Sequence, residues 1–184
     1  PQTYYDEPGR GTLARDGCGV LPTQAIHTLD LFLSLTPALA EVAAFAGTSA
    51  LHVMETEDCV AAALRFDGGA LGALDATTAA YPGFPERIDL AGTKATAVLT
   101  PGKLELYHHD GRRESIGEQA SGGGGADPMA FTHDAHRGVL VEFLDALDAG
   151  RAPVNSGRAA LSVHYLIDAL LESSRRRAPV PVRR

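Results

Sequence analysis

The chain has 184 residues, of which 45% are hydrophobic and 21% are charged, a composition typical of a single globular domain. Its formal net charge of -7 argues against a general affinity for nucleic acid or for anionic membranes. No apolar run approaches the roughly 20 residues of a transmembrane helix, and the first residues lack the basic and apolar regions of a signal peptide. We therefore expect a cytoplasmic protein that binds neither nucleic acid nor membrane.

The first predicted elements are an arm and a helix. Residues 1–20 are predicted to form an extended or looped arm, which carries Tyr5 and Arg10. A helix is predicted from about Pro22 to Thr36, because proline suits the first helical turn and apolar residues recur behind it at helical spacing. Pro37 marks the end of this helix.

The middle of the chain is predicted to be a run of short strands divided by turn residues. Asp67-Gly68-Gly69 is a strong hairpin signal between two of them. Strands this close in sequence must pair antiparallel, because a parallel crossover needs a dozen or more residues. The predicted strands are Ala40 to Ala46, Asp58 to Phe66, Ala70 to Ala79, Glu86 to Ala91, Thr96 to Thr100 and Lys103 to Tyr107.

Two helices are predicted near the end of the chain, from Ala135 to Ala149 and from Arg158 to Arg177. A flexible glycine-rich loop is predicted before them, at Gln119–Pro128. One helix, about six antiparallel strands and two further helices together predict an α+β fold. In this fold an open, mainly antiparallel sheet of about six strands has helices on one face.

The other face of this sheet is expected to lack helices. It would carry either the side chains around Val60 and Leu64 or those around Leu71 and Ala73, and both sets are apolar. An apolar surface of this kind favours contact with a partner. We therefore predict a homo-oligomer, or a partner domain, that covers the open sheet face.

The segment Gly17–Asp30 (GCGVLPTQAIHTLD) joins a glycine-rich turn to a helix that carries a histidine. Thr23, four residues before His27, lies on the same helix face, and Asp30 is placed to accept an imidazole N–H. Such support favours a general acid–base group that meets a substrate hydroxyl. The alternative is a structural histidine beside a solvent-facing carboxylate.

Three further side chains are candidates for a binding pocket. Tyr5 and Arg10 would line a sugar or polyol pocket by stacking and hydrogen bonding, or else would anchor the arm to the domain. His136, at the start of a predicted helix, is a candidate for the same pocket as His27. The pattern leaves these alternatives open.

Motifs for metals and nucleotides are missing from the sequence. His133 and His136 do not have the HExxH spacing of a zinc site, so no metal site is predicted. A metal-dependent hydrolase that uses these two residues with His27 and Asp30 is an alternative hypothesis. No GxGxxG follows a strand and no Walker motif occurs, so this chain is predicted to bind no nucleotide cofactor by itself.

Several segments resemble a known family in the same order along the chain. GCGVLPTQAIHTLDL, which begins at Gly17, resembles the segment GGGVL-x-x-Q-x-IH-x-x-DL of the Gfo/Idh/MocA family of NAD(P)-dependent oxidoreductases. The collinear set is much more specific than any one motif. The other matching segments are Tyr4-Tyr5 with Arg10-Gly11-Thr12, Glu57-Asp58 with Leu64 to Gly72, Arg87 with Gly92-Thr93-Lys94, and Phe143 to Pro153.

The resemblance implies a two-domain enzyme. An N-terminal Rossmann domain, absent from this chain, would bind NAD or NADP, and residues 1–184 would be the C-terminal substrate-binding and dimerisation domain. The implied reaction is hydride transfer between nicotinamide and a hydroxyl carbon of a sugar or polyol. This fragment alone is then expected to be inactive, and the open sheet to form the subunit interface, as is common in the family.

The resemblance also implies roles for residues. His27 matches the active-site histidine that contacts the reacting hydroxyl, and Thr23 stands where many members carry aspartate, so proton transfer would fall more heavily on His27. Gly9 replaces a frequent tryptophan of the arm, which leaves the substrate class open. A non-catalytic assembly or ligand-binding module that uses the same open sheet is the alternative function. The residues that would position the substrate are Thr23, Gln24, Tyr5, Arg10 and His136.

Overall fold

The computed structural model describes residues 1–118 and 133–183. The chain divides into two compact units, Pro1–Ala79 with His133–Arg184 and Ala80–Thr132. The loop predicted at Gln119–Pro128 lies outside the described residues. The interpretation of residues 1–184 as one domain stays a prediction.

The first unit combines a four-stranded antiparallel sheet with helices. Its helices are α1 (Leu13–Asp16), α2 (Ile26–Leu35), α3 (Asp134–Asp148) and α4 (Gly157–Arg176), and its strands are β1 (Leu39–Gly47), β2 (Cys59–Phe66), β3 (Leu71–Thr77) and β8 (Val180–Pro181). The strands lie in the order β3-β2-β1-β8. The turn between β2 and β3 places Gly69 at a φ of 84°, a left-handed conformation that favours glycine.

The core of the first unit lies between the sheet and α4. Side chains alternate between the two faces of a strand, and Val42, Val60 and Leu64 all point to the buried face with at most 2% exposure. Leu166 and Leu170, one helical turn apart on α4, are fully buried against them. Burial of each such side chain stabilises the fold by about 1.5–3 kcal/mol.

Helix α4 also protects the edge of β1. The short strand β8 pairs only with the first half of β1, which leaves the backbone beyond it without a strand partner. The hydroxyl of Ser173 accepts the N–H of Ala44 at 3.0 Å, and that of Ser174 accepts the N–H of Ala46 at 2.8 Å. Side chains of the helix therefore satisfy backbone donors that a further strand would otherwise take.

The second unit contains a separate antiparallel sheet. Its strands are β4 (Ile88–Ala91), β5 (Ala95–Thr100), β6 (Lys103–His108) and β7 (Arg113–Gly117). Each strand pairs with the next along the chain, in the order β4-β5-β6-β7. Short turns make this meander possible, and the turn between β5 and β6 contains Gly102 at a φ of 78°.

The structure confirms the predicted α+β class, but the strands form two sheets of four rather than one sheet of about six. The six predicted strands are all present, and each bound lies within two residues of the predicted one. Two strands were not predicted. Strand β7 has the sequence RESIG, which shows no apolar alternation, and all of its residues are exposed. Strand β8 has only two residues, too few for a pattern.

Helical geometry differs from the prediction at the start of the chain. Of the two predicted forms of the arm, the structure shows the looped one, with a 3₁₀ turn at Gln2–Tyr4 and the short helix α1. Thr12 caps α1, since its hydroxyl accepts the N–H of Arg15 at 3.3 Å. The helix predicted from about Pro22 to Thr36 begins as a π-helical turn at Leu21–Ala25 and continues as α2.

The bare face of the first sheet carries apolar side chains together with the charged Glu41, Arg65 and Asp75. Phe45 and Leu71 are 77% and 74% exposed, and Ala61, Ala63 and Ala73 are exposed between them. The helices bury the side chains of Val60 and Leu64 on β2 and leave those of Leu71 and Ala73 on β3 exposed. Small side chains make the centre of this surface flat.

Candidate functional site

A cavity of about 180 Å³ lies in the first unit, where the arm meets the start of the π-helical turn and the loop between β1 and β2. The arm contributes Tyr4, Tyr5 and Arg10 to its wall, the π-helical turn contributes Thr23, and the loop contributes Met54. Aromatic rings beside a guanidinium and a hydroxyl suit a small polar ligand. This cavity is the candidate site.

The loop between β1 and β2, residues 48–58, holds the arm in place. The carbonyl of Gly11 accepts the N–H of Glu55 at 2.9 Å and the hydroxyl of Thr56 at 3.2 Å. The Glu55 carboxylate accepts the N–H of Leu13 at 3.0 Å. Gly11 has a φ of 73°, and a Cβ there would lie 2.8 Å from the Cβ of Met54. The loop therefore determines the shape of the cavity.

Gly19, in the glycine-rich turn before the helix, is packed against the backbone of Glu57. Its N–H donates to the Glu57 carboxylate at 3.0 Å, and the N–H of Val20 donates to the Glu57 carbonyl at 2.8 Å. A Cβ on Gly19 would lie only 1.7 Å from that carbonyl oxygen. The turn needs glycine here because two backbone segments approach too closely for any side chain.

Arg10 offers an unused hydrogen-bond donor at the cavity. Its guanidinium carbon lies 4.0 Å from the centroid of the Tyr4 ring, a cation–π arrangement, and it also forms an ion pair with Glu7. The Nε atom is buried and has no hydrogen-bond partner among the described residues. Buried N–H groups are normally paired, so the unpaired Nε of Arg10 is an exception beside the cavity.

Tyr5 presents an aromatic ring and a neutral hydroxyl. The ring centroid lies 4.8 Å from that of His52, and the hydroxyl forms a hydrogen bond of 2.9 Å with the hydroxyl of Thr78. Burial raises the pKa of Tyr5 and outweighs the opposite effect of the Thr78 hydrogen bond. The phenol is therefore protonated at neutral pH, which suits binding rather than proton abstraction.

Asp58 is a fully buried carboxylate with three hydrogen-bond donors. The backbone N–H and the hydroxyl of Ser49 donate to it at 2.7 and 2.6 Å, and Nδ1 of His52 lies 2.7 Å from it. Burial raises the pKa of Asp58, but the hydrogen bonds from Ser49 and His52 outweigh this effect and hold the pKa below its usual value. The carboxylate is therefore ionised at neutral pH.

Thr23 and Gln24 lie on the π-helical turn, a geometry that occurs frequently at functional sites. The Thr23 hydroxyl donates to the carbonyl of Gly19 at 2.7 Å, so its oxygen remains able to accept a hydrogen bond from a ligand. Gln24 is not part of the cavity wall but donates from its amide to the Tyr4 hydroxyl at 3.3 Å. Thr23 therefore lines the cavity, and Gln24 contacts Tyr4, which is part of its wall.

His27 and His136 do not line the cavity. His27 lies in the first turn of α2 and is exposed, so a substrate group has access to its imidazole. Within residues 1–118 and 133–183, no hydrogen bond joins His27 to Asp30. His136 is exposed in the first turn of α3. The cavity thus unites Thr23, Tyr5 and Arg10, while the roles of the two histidines stay predictions.

Met54 and Thr56 line the cavity, and His52 contacts Tyr5, but the sequence pattern did not single out these residues. The available signal was the acidic pair Glu57-Asp58, because each carboxylate binds a segment beside the cavity. In the described part of the chain, no three His, Cys, Asp or Glu side chains are grouped closely enough to hold a metal ion.

A comparison with protein families identifies the chain. The model of the GFO/IDH/MocA C-terminal domain matches residues 1–98. The chain belongs to the GFO/IDH/MocA family. The match covers the arm, the glycine-rich turn with its helix, and the first four strands, and it includes segments that carry the resemblance. No curated protein matches the chain in sequence.

Solved structures with the same fold include several dehydrogenases. The WlbA dehydrogenase from Bordetella pertussis in complex with NADH and UDP-GlcNAcA is 25% identical, with a TM-score of 0.66 and coverage of 100% of this chain and 51% of that chain. An oxidoreductase from Agrobacterium radiobacter in complex with NAD+, L-tartaric acid and magnesium is 24% identical, with a TM-score of 0.73 and coverage of 89% and 49%. Levoglucosan dehydrogenase in complex with NADH and levoglucosan is 21% identical, with a TM-score of 0.76 and coverage of 95% and 53%.

This GFO/IDH/MocA domain therefore spans about half the length of the solved structures that it resembles. The dehydrogenases among them are bound to NADH, which agrees with membership in a family of NAD-dependent oxidoreductases. Among the helices that the structure describes, none combines the length and apolar character needed to cross a membrane.

Proposed function

We propose that this chain is the C-terminal substrate-binding and oligomerisation domain of an NAD(P)-dependent dehydrogenase that acts on a hydroxyl carbon of a sugar or polyol. The observation that carries the proposal is the cavity with the unpaired Nε of Arg10 beside aromatic rings and hydroxyls. The ligands of the structural relatives, UDP-GlcNAcA and levoglucosan, support a carbohydrate-like substrate. A cytoplasmic location belongs to the same proposal.

The candidate cavity does not fit a nicotinamide dinucleotide. Its volume of about 180 Å³ has room for one small polar ligand only. The glycine-rich fingerprint that cradles a dinucleotide is also missing from the sequence. In the proposed enzyme a separate Rossmann half binds NAD or NADP, and this chain supplies substrate contacts and a proton carrier.

Each polar group has a proposed task in substrate binding. The Nε of Arg10 donates to a substrate oxygen, and the Tyr4 and Tyr5 rings contact the apolar face of the substrate. Thr23 accepts a hydrogen bond, and Gln24 fixes the Tyr4 hydroxyl. His136 is the remaining proposed contact.

His27 is the proposed proton carrier. Its exposed imidazole lies four residues beyond Thr23, so a substrate that extends from the cavity along the helix meets it. The imidazole takes the proton of the reacting hydroxyl during oxidation and returns it during reduction. Because Thr23 is not a carboxylate, His27 carries this task without a second base.

Replacing Arg10 with methionine tests substrate binding. In a complete enzyme that contains this chain, Arg10→Met is expected to raise KM about 10-fold or more, because a charged hydrogen bond contributes about 1.5–3 kcal/mol. Arg175→Met is the matched control, since Arg175 is 72% exposed in the last turn of α4. Steady-state kinetics with a sugar and polyol panel provides the measurement. A KM within threefold of the original enzyme would remove Arg10 from the site.

Oligomerisation is proposed to use the bare face of the first sheet. Phe45 and Leu71 are exposed there around a flat alanine surface, which allows close approach of a second copy. The same surface supports the alternative function, a non-catalytic assembly or ligand-binding module. Absence of NAD(P)-dependent turnover with every sugar and polyol tested on the complete protein would favour that alternative.

Ala63→Arg is expected to dissociate the proposed oligomer. Ala63 is exposed on the central strand β2, so the long charged side chain remains in water in the monomer but prevents close contact between two sheets. Ala160→Arg, on an exposed position of α4, is the control. Light scattering coupled to size exclusion measures the mass. An unchanged mass for Ala63→Arg would rule out this face as the interface.

A further inference from the structure

The strongest unassigned feature is the cluster of the buried Asp58 and His52 with the half-buried Ser49. The side chains of His52 and Asp58 are only 4% and 0% exposed. Ser49 contributes two donors to the carboxylate and His52 a third, so the charge is compensated without any solvent contact. None of the three side chains lines the cavity, and none has a role in the proposed reaction.

Two independent routes connect Asp58 to Tyr5, which does line the cavity. Through its side chain, Asp58 binds His52, and the His52 ring lies 4.8 Å from the Tyr5 ring. Through its backbone, the carbonyl of Asp58 accepts the N–H of Thr78 at 2.9 Å. The Thr78 hydroxyl in turn forms a 2.9 Å hydrogen bond with the Tyr5 hydroxyl. Both the ring and the hydroxyl of Tyr5 are thus held by residues that Asp58 fixes.

We infer that Asp58 and His52 are positioning residues that fix the orientation of Tyr5 in the wall of the cavity. Tyr5 belongs to an arm whose own helices are only three and four residues long, so the arm cannot orient this ring by itself. An imidazole held by a buried carboxylate has one ring orientation, and it offers Tyr5 a fixed surface. The consequence for substrate binding rests on the proposed function, but the orientation of Tyr5 does not.

The chain offers variants that separate the two parts of His52. His52→Asn keeps an N–H donor for Asp58 but removes the aromatic surface, whereas His52→Phe keeps the aromatic surface and removes the donor. Asp58→Asn leaves the carboxylate shape but places an amide N–H against the existing donors. His164→Asn, at an exposed position on α4, is the control. Thermal unfolding identifies any variant that does not fold.

The decisive measurement is the NMR spectrum of ring-labelled tyrosine, with the Tyr5 signal assigned by Tyr5→Phe. Asp58→Asn keeps the imidazole but alters its anchor, so it is expected to move the Tyr5 signal through a change in ring orientation, while His164→Asn leaves the signal unchanged. His52→Phe is expected to move it as well, because the ring loses its anchor at Asp58. Retention of the original Tyr5 signal in folded Asp58→Asn, which keeps the imidazole, would overturn the inference.

Kinetics of the complete enzyme then separates this inference from the proposed function. His52→Asn is expected to raise KM about 10-fold with kcat within threefold, because it disturbs a binding surface and no reacting group. If the Tyr5 signal moves and KM does not, the positioning role stands and the cavity is not the substrate site. If neither the Tyr5 signal nor KM changes, the positioning role is wrong.

Discussion

Gly19→Ala is expected to destabilise the fold more than alanine at any other glycine that the structure describes. The new Cβ would lie 1.7 Å from the carbonyl oxygen of Glu57, far inside van der Waals contact. Neither backbone can withdraw without loss of the hydrogen bonds that Gly19 and Val20 donate to Glu57. We expect the free energy of unfolding to fall by about 3 kcal/mol or more.

Urea unfolding monitored by circular dichroism measures this effect, with Gly47→Ala as the control. Gly47 has no atom within 4 Å of the position of a Cβ and does not have a positive φ. Its replacement is expected to change the free energy of unfolding by less than about 1 kcal/mol. If Gly19→Ala were as stable as Gly47→Ala, the close approach of the two backbones would be refuted.

His27→Ala is expected to cause the largest loss of activity. If His27 exchanges a proton with the substrate hydroxyl, turnover of the complete enzyme should fall by about two to four orders of magnitude. Stability should change little, because His27 is exposed and makes no hydrogen bond in the described part of the chain. Steady-state turnover at saturating substrate, together with thermal unfolding, provides the measurement.

His164→Ala is the matched control for this experiment, since it removes another exposed helical histidine. Its turnover is expected to equal that of the original enzyme. A loss of less than threefold in His27→Ala would remove His27 from proton transfer. A loss that disappears as pH rises would also be consistent with proton transfer, because hydroxide then competes with the imidazole as base.

The candidate site could be predicted from sequence only where its residues lie in recognisable local motifs. Tyr5 and Arg10 in the arm and Thr23 at the start of the helix line one cavity, and their role in substrate binding stays a prediction. Met54 belongs to an irregular loop without periodicity, so nothing in the local pattern marked it. His52 acts through a contact with a residue 47 positions earlier in the chain (52 minus 5), which no local pattern encodes.

The fold likewise could be predicted where it depends on local sequence and not where it depends on contacts between distant segments. Turn residues and apolar alternation were sufficient for the six predicted strands, because side-chain alternation and backbone turns are local properties. The division into two sheets was not predictable in this way. Sheet membership depends on which strand edges meet, and Ser173 and Ser174 of α4 bind an edge of β1 that an additional strand would otherwise extend.

The sequence by itself determined the family, the α+β class, the positions of six strands and the glycine-rich turn before the helix of His27. The class, the strands and the turn depend on residues that are close together along the chain, and the family depends on the order of several such segments. Only the tertiary structure decided that Gly19 lies against Glu57, that Asp58 is buried beside His52, and that the Nε of Arg10 has no partner among the residues that the structure describes. Gly19 and Glu57 are 38 positions apart, and His52 and Asp58 are six apart within an irregular loop, so no local periodicity marks either contact.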